Sequence, residues 1–239
     1  MRVAFVVPAY QAEHSVGAVV SGLLEHGSRA FAGGPPPVLV VNDGSSDRTA
    51  DRAREAGASV LELPVNHGKG YALLRGLAAT AAQGTRAAVT VDADGQHPPE
   101  EAVRVALWTA PEDALVLGVR DLQRDGAPRP NQWSNAFSNL WMSWFCGRAL
   151  RDTQCGLRRY PLPEVLELGL RGSGYELEAE VIVRAVRRGL PLVEADVRVI
   201  YPPAEQRVSH FRSIRDPARI VARLLHTAAT TPWRAERRA

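Results

Sequence analysis

Two carboxylates stand one residue apart at Asp92 and Asp94, and an amide oxygen follows at Gln96, in the stretch AAVTVDADGQHPPE of residues 87–100. Three hard oxygen donors at this spacing suit a divalent cation such as Mg²⁺ or Mn²⁺. Gly95 lets the backbone turn so that the three side chains can converge. The apolar run 87–91 before them is small and β-branched, and reads as a buried parallel strand. Ligands of open α/β sheets gather at the carboxyl ends of strands, so the acids fall where chemistry is usually done. Pro98-Pro99-Glu100 then opens a helix with proline in its first turn. An acid-rich turn without further role is the ordinary alternative for a bare Asp-x-Asp.

The other elements alternate strand and helix around this point. Residues 2–7 read as a strand closed by Pro8-Ala9-Tyr10, and 16–24 have helical apolar spacing. The Gly- and Pro-rich stretch 26–37 reads as a breaker loop. A second strand at 38–41 ends in Asn42-Asp43-Gly44-Ser45-Ser46-Asp47, where Ser46 or Asp47 can cap a helix running to Glu55. A third strand at 60–63 leads to Asn66-His67-Gly68-Lys69-Gly70. Lys69 is the only lysine of the chain, and a compact ammonium between glycines suits phosphate or ribose oxygens. Neither the G-x-G-x-x-G dinucleotide fingerprint nor the Walker spacing is present. A helix at 71–82 and a strand at 114–119 follow, the latter ending at Arg120. Residues 122–131 read as a loop, either a lid or plain surface. The segment 134–146 places Phe137, Trp141, Trp144 and Phe145 on one helical face. Core packing is the usual reason for such a stripe. The helix 175–189 carries Glu176, Glu178 and Glu180 near its start, where acids complement the helix dipole. A last strand at 192–199 and an amphipathic helix at 215–227 complete the pattern.

DADGQHPP, following a buried strand, strongly resembles the metal-binding motif of family 2 glycosyltransferases, particularly the branch that glycosylates dolichol or polyprenyl phosphates. The Pro8-x-Tyr10 after strand one and the D-G-S-x-D beginning at Asp43 resemble the same family's nucleotide loops. The resemblance implies that Pro8, Ala9 and Tyr10 lie near the base and that Asp43 accepts a hydrogen bond from it. The family continues with Asn and Glu after this tyrosine, whereas here Gln11-Ala12-Glu13 stand, so Glu13 as the ribose contact departs from the pattern. N-x-G-K-G-x-A from Asn66 also resembles the family, which puts Gly68 and Lys69, with Asp92 and Ala93, on the donor side. Gly118-Val119-Arg120 is similar to the family's G-S-R, whose arginine binds acceptor phosphate or donor diphosphate. RDTQCGLR at 151–158 resembles D-x-x-[SC]-G-[FL]-[RK]. In it Asp152 is either a general base or an orienting residue, and Arg158 a phosphate ligand. Tyr175 begins an [FY]-E-x-E element, through which one glutamate could face the acceptor. Arg207, His210 and Arg212 match a basic connection that closes onto the diphosphate. The aromatic helix occupies the family's acceptor side, which makes contact with a lipid chain the alternative to core packing. The likeness covers residues 2–215.

Size and charge bound the rest. At 239 residues, 45% hydrophobic and 23% charged, the chain can bury a full core as one domain. A net charge of +3 is too slight to argue for nucleic acid. Eight arginines against Asp216 and Glu236 in residues 207–239 favour an anionic lipid head, a phosphate or a membrane surface, or are a solvated tail. Two cysteines imply no disulfide framework and a reducing compartment. No leader and no apolar run of about 18–20 residues is visible. The expectation is an α/β fold of the GT-A nucleotide-diphospho-sugar transferase type with a mainly parallel sheet. Its catalytic domain would span 1–214 and an amphipathic basic helix and tail 215–239, in a cytoplasmic protein with peripheral membrane contact. Its activity would be inverting, Mg²⁺- or Mn²⁺-dependent transfer of a sugar from a UDP- or GDP-sugar to a polyprenyl phosphate or other lipid-linked acceptor. Asp94, Arg120 and Asp152 would act at the reacting centre, and Asp92, Asp94 and Gln96 would hold the metal. A sugar-phosphate nucleotidyltransferase shares the fold but needs a G-x-G-x-R loop that VVPAYQAE lacks. A non-catalytic binding protein would have little need for the acidic loop.

Overall fold

The computed structural model describes residues 2–201 and 215–233. Strand β1 (Val3–Ala9) is buried along its whole length, as its unbroken apolar sequence requires of a central parallel strand. Helix α1 (Val16–Ala30) leads to β2 (Val38–Asp43), and α2 (Thr49–Glu55) to β3 (Ser59–Leu63). Helix α3 (Lys69–Ala82) leads to β4 (Ala87–Thr90), and α4 (Pro99–Ala106) to β5 (Leu115–Arg120). Helix α5 (Arg129–Cys146), strand β6 (Arg158–Pro161), a 3-10 turn (Leu166–Leu168), α6 (Glu176–Arg187), β7 (Leu192–Val197) and α7 (Arg215–Thr230) follow. Among the described residues the sheet has seven strands in the order β3-β2-β1-β4-β6-β5-β7. Strand β6 runs antiparallel to both its neighbours and the others run together. The expected mainly parallel sheet is thus present.

Two apolar layers hold the sheet. One side packs Val20 and Leu23 of α1, Ala53 of α2 and Ala102 of α4 against it. The other packs Leu73 and Leu77 of α3, Phe145 of α5, Leu177 and Ile182 of α6, and Leu224 of α7. Helix α7 therefore lies on α6: Arg219 ion-pairs with Glu176, and Arg187 stacks 5.2 Å from the Trp233 ring. No described helix is long and apolar enough to cross a membrane.

Three elements differ from the sequence reading. Helix α1 continues through His26 to Ala30, into the expected breaker, because Gly27 is a packing glycine: a Cβ there would sit 3.1 Å from Pro36. The chain leaves the helix before the prolines at 35–37. Helix α5 begins at Arg129, inside the expected loop, with Pro130 in the first turn where proline is tolerated. Strand β6, reading Arg-Arg-Tyr-Pro, is a buried strand hidden from apolar pattern by its two arginines. Both are 2% exposed or less and bonded to main-chain carbonyls.

Candidate active site

Because every strand but β6 runs the same way, the carboxyl ends of β1, β2, β4 and β5 share one edge of the sheet. Strand β6 enters from that edge, so the residues before it, Asp152 to Gly156, come to the same place. This antiparallel insertion joins RDTQCG to DADGQ, which are about 60 residues apart in sequence.

Asp92 lies just beyond β4, and Lys69 opens α3. Lys69 Nζ stands 2.7 Å from Asp92 Oδ1 and 3.4 Å from Glu178 Oε1. Burial opposes both charges, yet the mutual attraction holds Asp92 below its ordinary range and Lys69 above its own. Gly156 makes room for this carboxylate, since a Cβ there would fall 2.5 Å from Asp92 Oδ2. Gly95 takes φ +74°, the turn the sequence required, and Asp94 Oδ1 accepts the Gln96 backbone N–H at 2.9 Å. Asp94 is solvent-exposed at the lip of the cleft. The surrounding protein mass and the neighbouring Asp92 charge push its carboxyl up to about 6.

Arg120 ends β5 and meets Asp152. Arg120 Nε donates to Asp152 Oδ2 at 2.7 Å and Nη2 to Oδ1 at 3.0 Å, a two-pronged pair, while the Arg120 backbone N–H adds a third bond at 3.1 Å. Asn135 Nδ2 and the Gln154 backbone N–H donate to Oδ1 at 2.9 and 3.1 Å. Burial would raise Asp152, but these donors hold it below the usual carboxylate range. A carboxylate 1% exposed and receiving five donors orients Arg120 and is a poor base. Of the two roles open to Asp152, the geometry favours orientation.

Other expected residues fall as follows. Asp43, 2% exposed, accepts the His67 and Gly68 backbone N–H groups at 2.9 and 2.8 Å, and so ties the β2 loop to the loop that presents Lys69. Pro8 and Ala9 are buried in β1, Ala93 is buried beside Asp92, and Tyr10 is half-buried at the strand's end. Glu13 Oε2 accepts the Arg48 backbone N–H at 3.1 Å, across from the Asp47 loop. Arg158 is a correction. It is 1% exposed, and its guanidinium donates to the carbonyls of Cys155, Glu178 and Thr153 at 2.8, 2.7 and 2.9 Å, so these bonds brace the site from the core. Arg207, His210 and Arg212 lie outside the described residues. Before them, the Ile200 N–H bonds to Gln96 O at 2.8 Å.

One residue that the sequence left open, Glu178, and one to which it gave no role, His97, are found here. Glu178 is the glutamate of the Tyr175 element that reaches the site, through Lys69; Glu176 and Glu180 accept backbone N–H groups of 171–174 instead. His97 is buried with Nε2 4.0 Å from Cys155 Sγ, and its Nδ1 has no hydrogen-bond partner among the described residues. Burial drives its pKa down to about 4, so it is neutral at pH 7. Its place in the DADGQHPP motif was the signal.

The donor set fits a hard cation. Burial and the neighbouring Asp92 charge raise the Asp94 carboxyl to about 6, and a divalent ion would offset both. No three His, Cys, Asp or Glu side chains converge as a metal cage among the described residues. Two carboxylates and an amide that leave other positions to phosphate oxygens and water are how Mg²⁺ is commonly held at nucleotide sites.

Acids, a lysine and an arginine at the carboxyl edge of its strands stand where an open α/β sheet binds its ligand. Residues 4–158 match the family described as Glycosyl transferase family 2, and the chain belongs to that family. It is 30% identical over 222 residues to a dolichyl-phosphate beta-glucosyltransferase of Drosophila melanogaster, covering 83% of this chain and 67% of that one. It is 26% identical over 225 residues to a UDP-N-acetylglucosamine–dolichyl-phosphate N-acetylglucosaminyltransferase of Methanococcus voltae, covering 82% and 84%. In fold it is similar to glucosyl-3-phosphoglycerate synthase of Mycobacterium tuberculosis, solved with Mn²⁺, UDP and phosphoglyceric acid. The TM-score is 0.71 at 22% identity, over 95% of this chain and 78% of that one. The nucleotidyltransferase and non-catalytic readings fall away with the family.

Proposed function

We propose that this glycosyltransferase moves a sugar, with inversion, from a nucleotide-diphospho-sugar to a polyprenyl phosphate, and that it needs a divalent cation to do so. The observation that carries the reading is the convergence of Asp92 and Asp94 with Lys69 and Arg120 at the carboxyl edge of the sheet. Asp92, Asp94 and Gln96 would hold the cation, which when bound neutralises diphosphate charge as a Lewis acid. Lys69 and Arg120 face the same diphosphate as fixed cations and favour the charge that grows on the leaving group. An acceptor phosphate oxygen attacks the anomeric carbon on the face opposite the diphosphate. The new carbon–oxygen bond forms as the old one breaks, its electron pair leaving with the nucleoside diphosphate. A phosphate acceptor is already ionised at pH 7 and needs no base, which agrees with an Asp152 saturated by donors. The names of two curated relatives, both acting on dolichyl phosphate, support this acceptor class. Peripheral contact with a membrane goes with a lipid acceptor.

Thermal melting with UDP-, GDP- and dTDP-sugars, each with Mn²⁺, Mg²⁺ or EDTA, tests the donor half. A ligand at 100 times its Kd stabilises the native state by about 2.7 kcal/mol. One donor should raise Tm, and EDTA should erase the rise. No rise with any donor, or a rise indifferent to EDTA, refutes the assignment.

A further inference from the structure

We propose that the outward face of α5 is a docking surface for an anionic lipid bilayer. Trp133, Phe137, Leu140 and Trp144 follow one another at helical spacing and are 77%, 61%, 69% and 70% exposed, with Trp141 beside them at 45%. Aromatic rings line this face edge to face, Phe137 against Trp141 at 6.1 Å and Trp141 against Trp144 at 6.2 Å.

The opposite side of the helix shows why the stripe points outward. It is largely polar and engaged by the protein: Asn135 holds Asp152, Ser138 meets Thr153 at 3.0 Å, and Asn139 donates to the Arg151 carbonyl at 2.6 Å. An ordinary surface helix turns its apolar stripe inward; here much of it is turned out, forming a continuous aromatic patch of the kind that marks an interaction site. Trp233 extends the patch at the C-terminal end of α5, 3.4 Å from where a Cβ on Gly147 would sit.

Charge selects the occupant. Helix α5 contains no acidic residue. Exposed Arg129 begins it, one helical turn before Trp133 on the same face. A row of exposed tryptophans with an arginine at its start and no acid along it matches the headgroup region of an anionic bilayer, where indole sits at the interface and arginine meets phosphate. Through Asn135 and Asp152 the same helix is bonded to Arg120, so docking would hold the cleft at the membrane surface, where a lipid phosphate resides. The inference deepens the reading of a lipid-linked acceptor and rests on it.

Sedimentation of the full chain with phosphatidylcholine vesicles, with and without phosphatidylglycerol, tests it without any turnover. The wild type should pellet with the anionic vesicles, shift its tryptophan emission to the blue and be released by salt. The variant W133S/F137S/W144S alters only side chains that face solvent. It should keep its Tm and its response to nucleotide-sugar and lose roughly tenfold or more in vesicle partitioning; Arg129→Glu should weaken binding to the anionic vesicles alone. Wild-type protein that stays in the supernatant, or a triple variant that pellets equally, overturns the proposal. So does a wild-type dimer in light scattering that the triple variant dissolves, since the face would then belong to a second copy. Failure of the donor reading would appear separately, as no Tm response to nucleotide-sugar.

Discussion

Replacing Asp152 by Asn separates an orienting carboxylate from a catalytic base. In the native protein the group is fully ionised, buried, and paired with Arg120, whose side chain is only 15% exposed. Asparagine keeps the shape but removes the charge and turns an NH₂ toward groups that are themselves donors, the Arg120 guanidinium and Asn135. Breaking a buried pair by removing one partner costs about 3–5 kcal/mol, because the other charge is left uncompensated. For a chain of this size each kcal/mol lowers Tm by about 2–4 °C, so Asp152→Asn should melt roughly 6–20 °C lower at pH 7. The pH dependence has a fixed sign. Asp152 titrates below its unfolded value of about 3.9, so its contribution is complete above that pH and lost as pH falls through the folded value. The gap between wild type and variant should therefore narrow in acid. The double variant D152N/R120Q should be less destabilised than the two single losses added together. Urea melts at pH 7 and pH 4 measure all three. A variant as stable as wild type at pH 7 that nevertheless loses turnover would refute the orienting role and restore the base.

Lys69→Met should leave Asp92 and Glu178 facing each other without their shared cation. Donor-dependent stabilisation should fall by about tenfold in affinity or more; unchanged donor affinity by calorimetry would remove Lys69 from the site. Gly156→Ala should displace the Asp92 carboxylate, into which the new Cβ would run at 2.5 Å, and so weaken Mn²⁺ binding far more than an alanine at exposed Gly33, where a Cβ meets nothing. Asp94 titrates near 6, above the ordinary 3.8, so its ionisation lowers the stability of the metal-free protein as pH rises from about 4 to about 6. Bound Mn²⁺ competes with that proton, and its affinity by calorimetry should rise over the same range and level off above it; a flat profile would contradict Asp94 as a ligand.

What could be read from sequence, and what could not, follows from where the information lies. The DADGQ loop was legible because a buried strand, a turn glycine and paired acids are contiguous. Lys69 was legible as a lone ammonium between glycines. The pairing of Lys69 with Glu178, and of Arg120 with Asp152, depends on strand order, and β6 was invisible because two buried arginines erase the apolar signal of a strand. The same blindness misassigned Arg158, since a guanidinium caged by three carbonyls looks in sequence like any surface arginine. The aromatic stripe was seen, but its direction was not. Core packing, its usual reason, holds for Phe145 alone; Phe137, Trp141 and Trp144 point outward because the serines and asparagines of α5 bond to residues 151–154.

The most direct test of the central claim is product formation. The wild type is incubated with each nucleotide-sugar, a short-chain polyprenyl phosphate and Mn²⁺, and the glycosylated lipid phosphate is followed by mass spectrometry, with the anomer assigned by proton NMR. The account predicts one preferred donor, a product of inverted configuration, and its disappearance in EDTA and in Asp94→Asn. A retained configuration, or product formed equally by Asp94→Asn in the presence of EDTA, would contradict it.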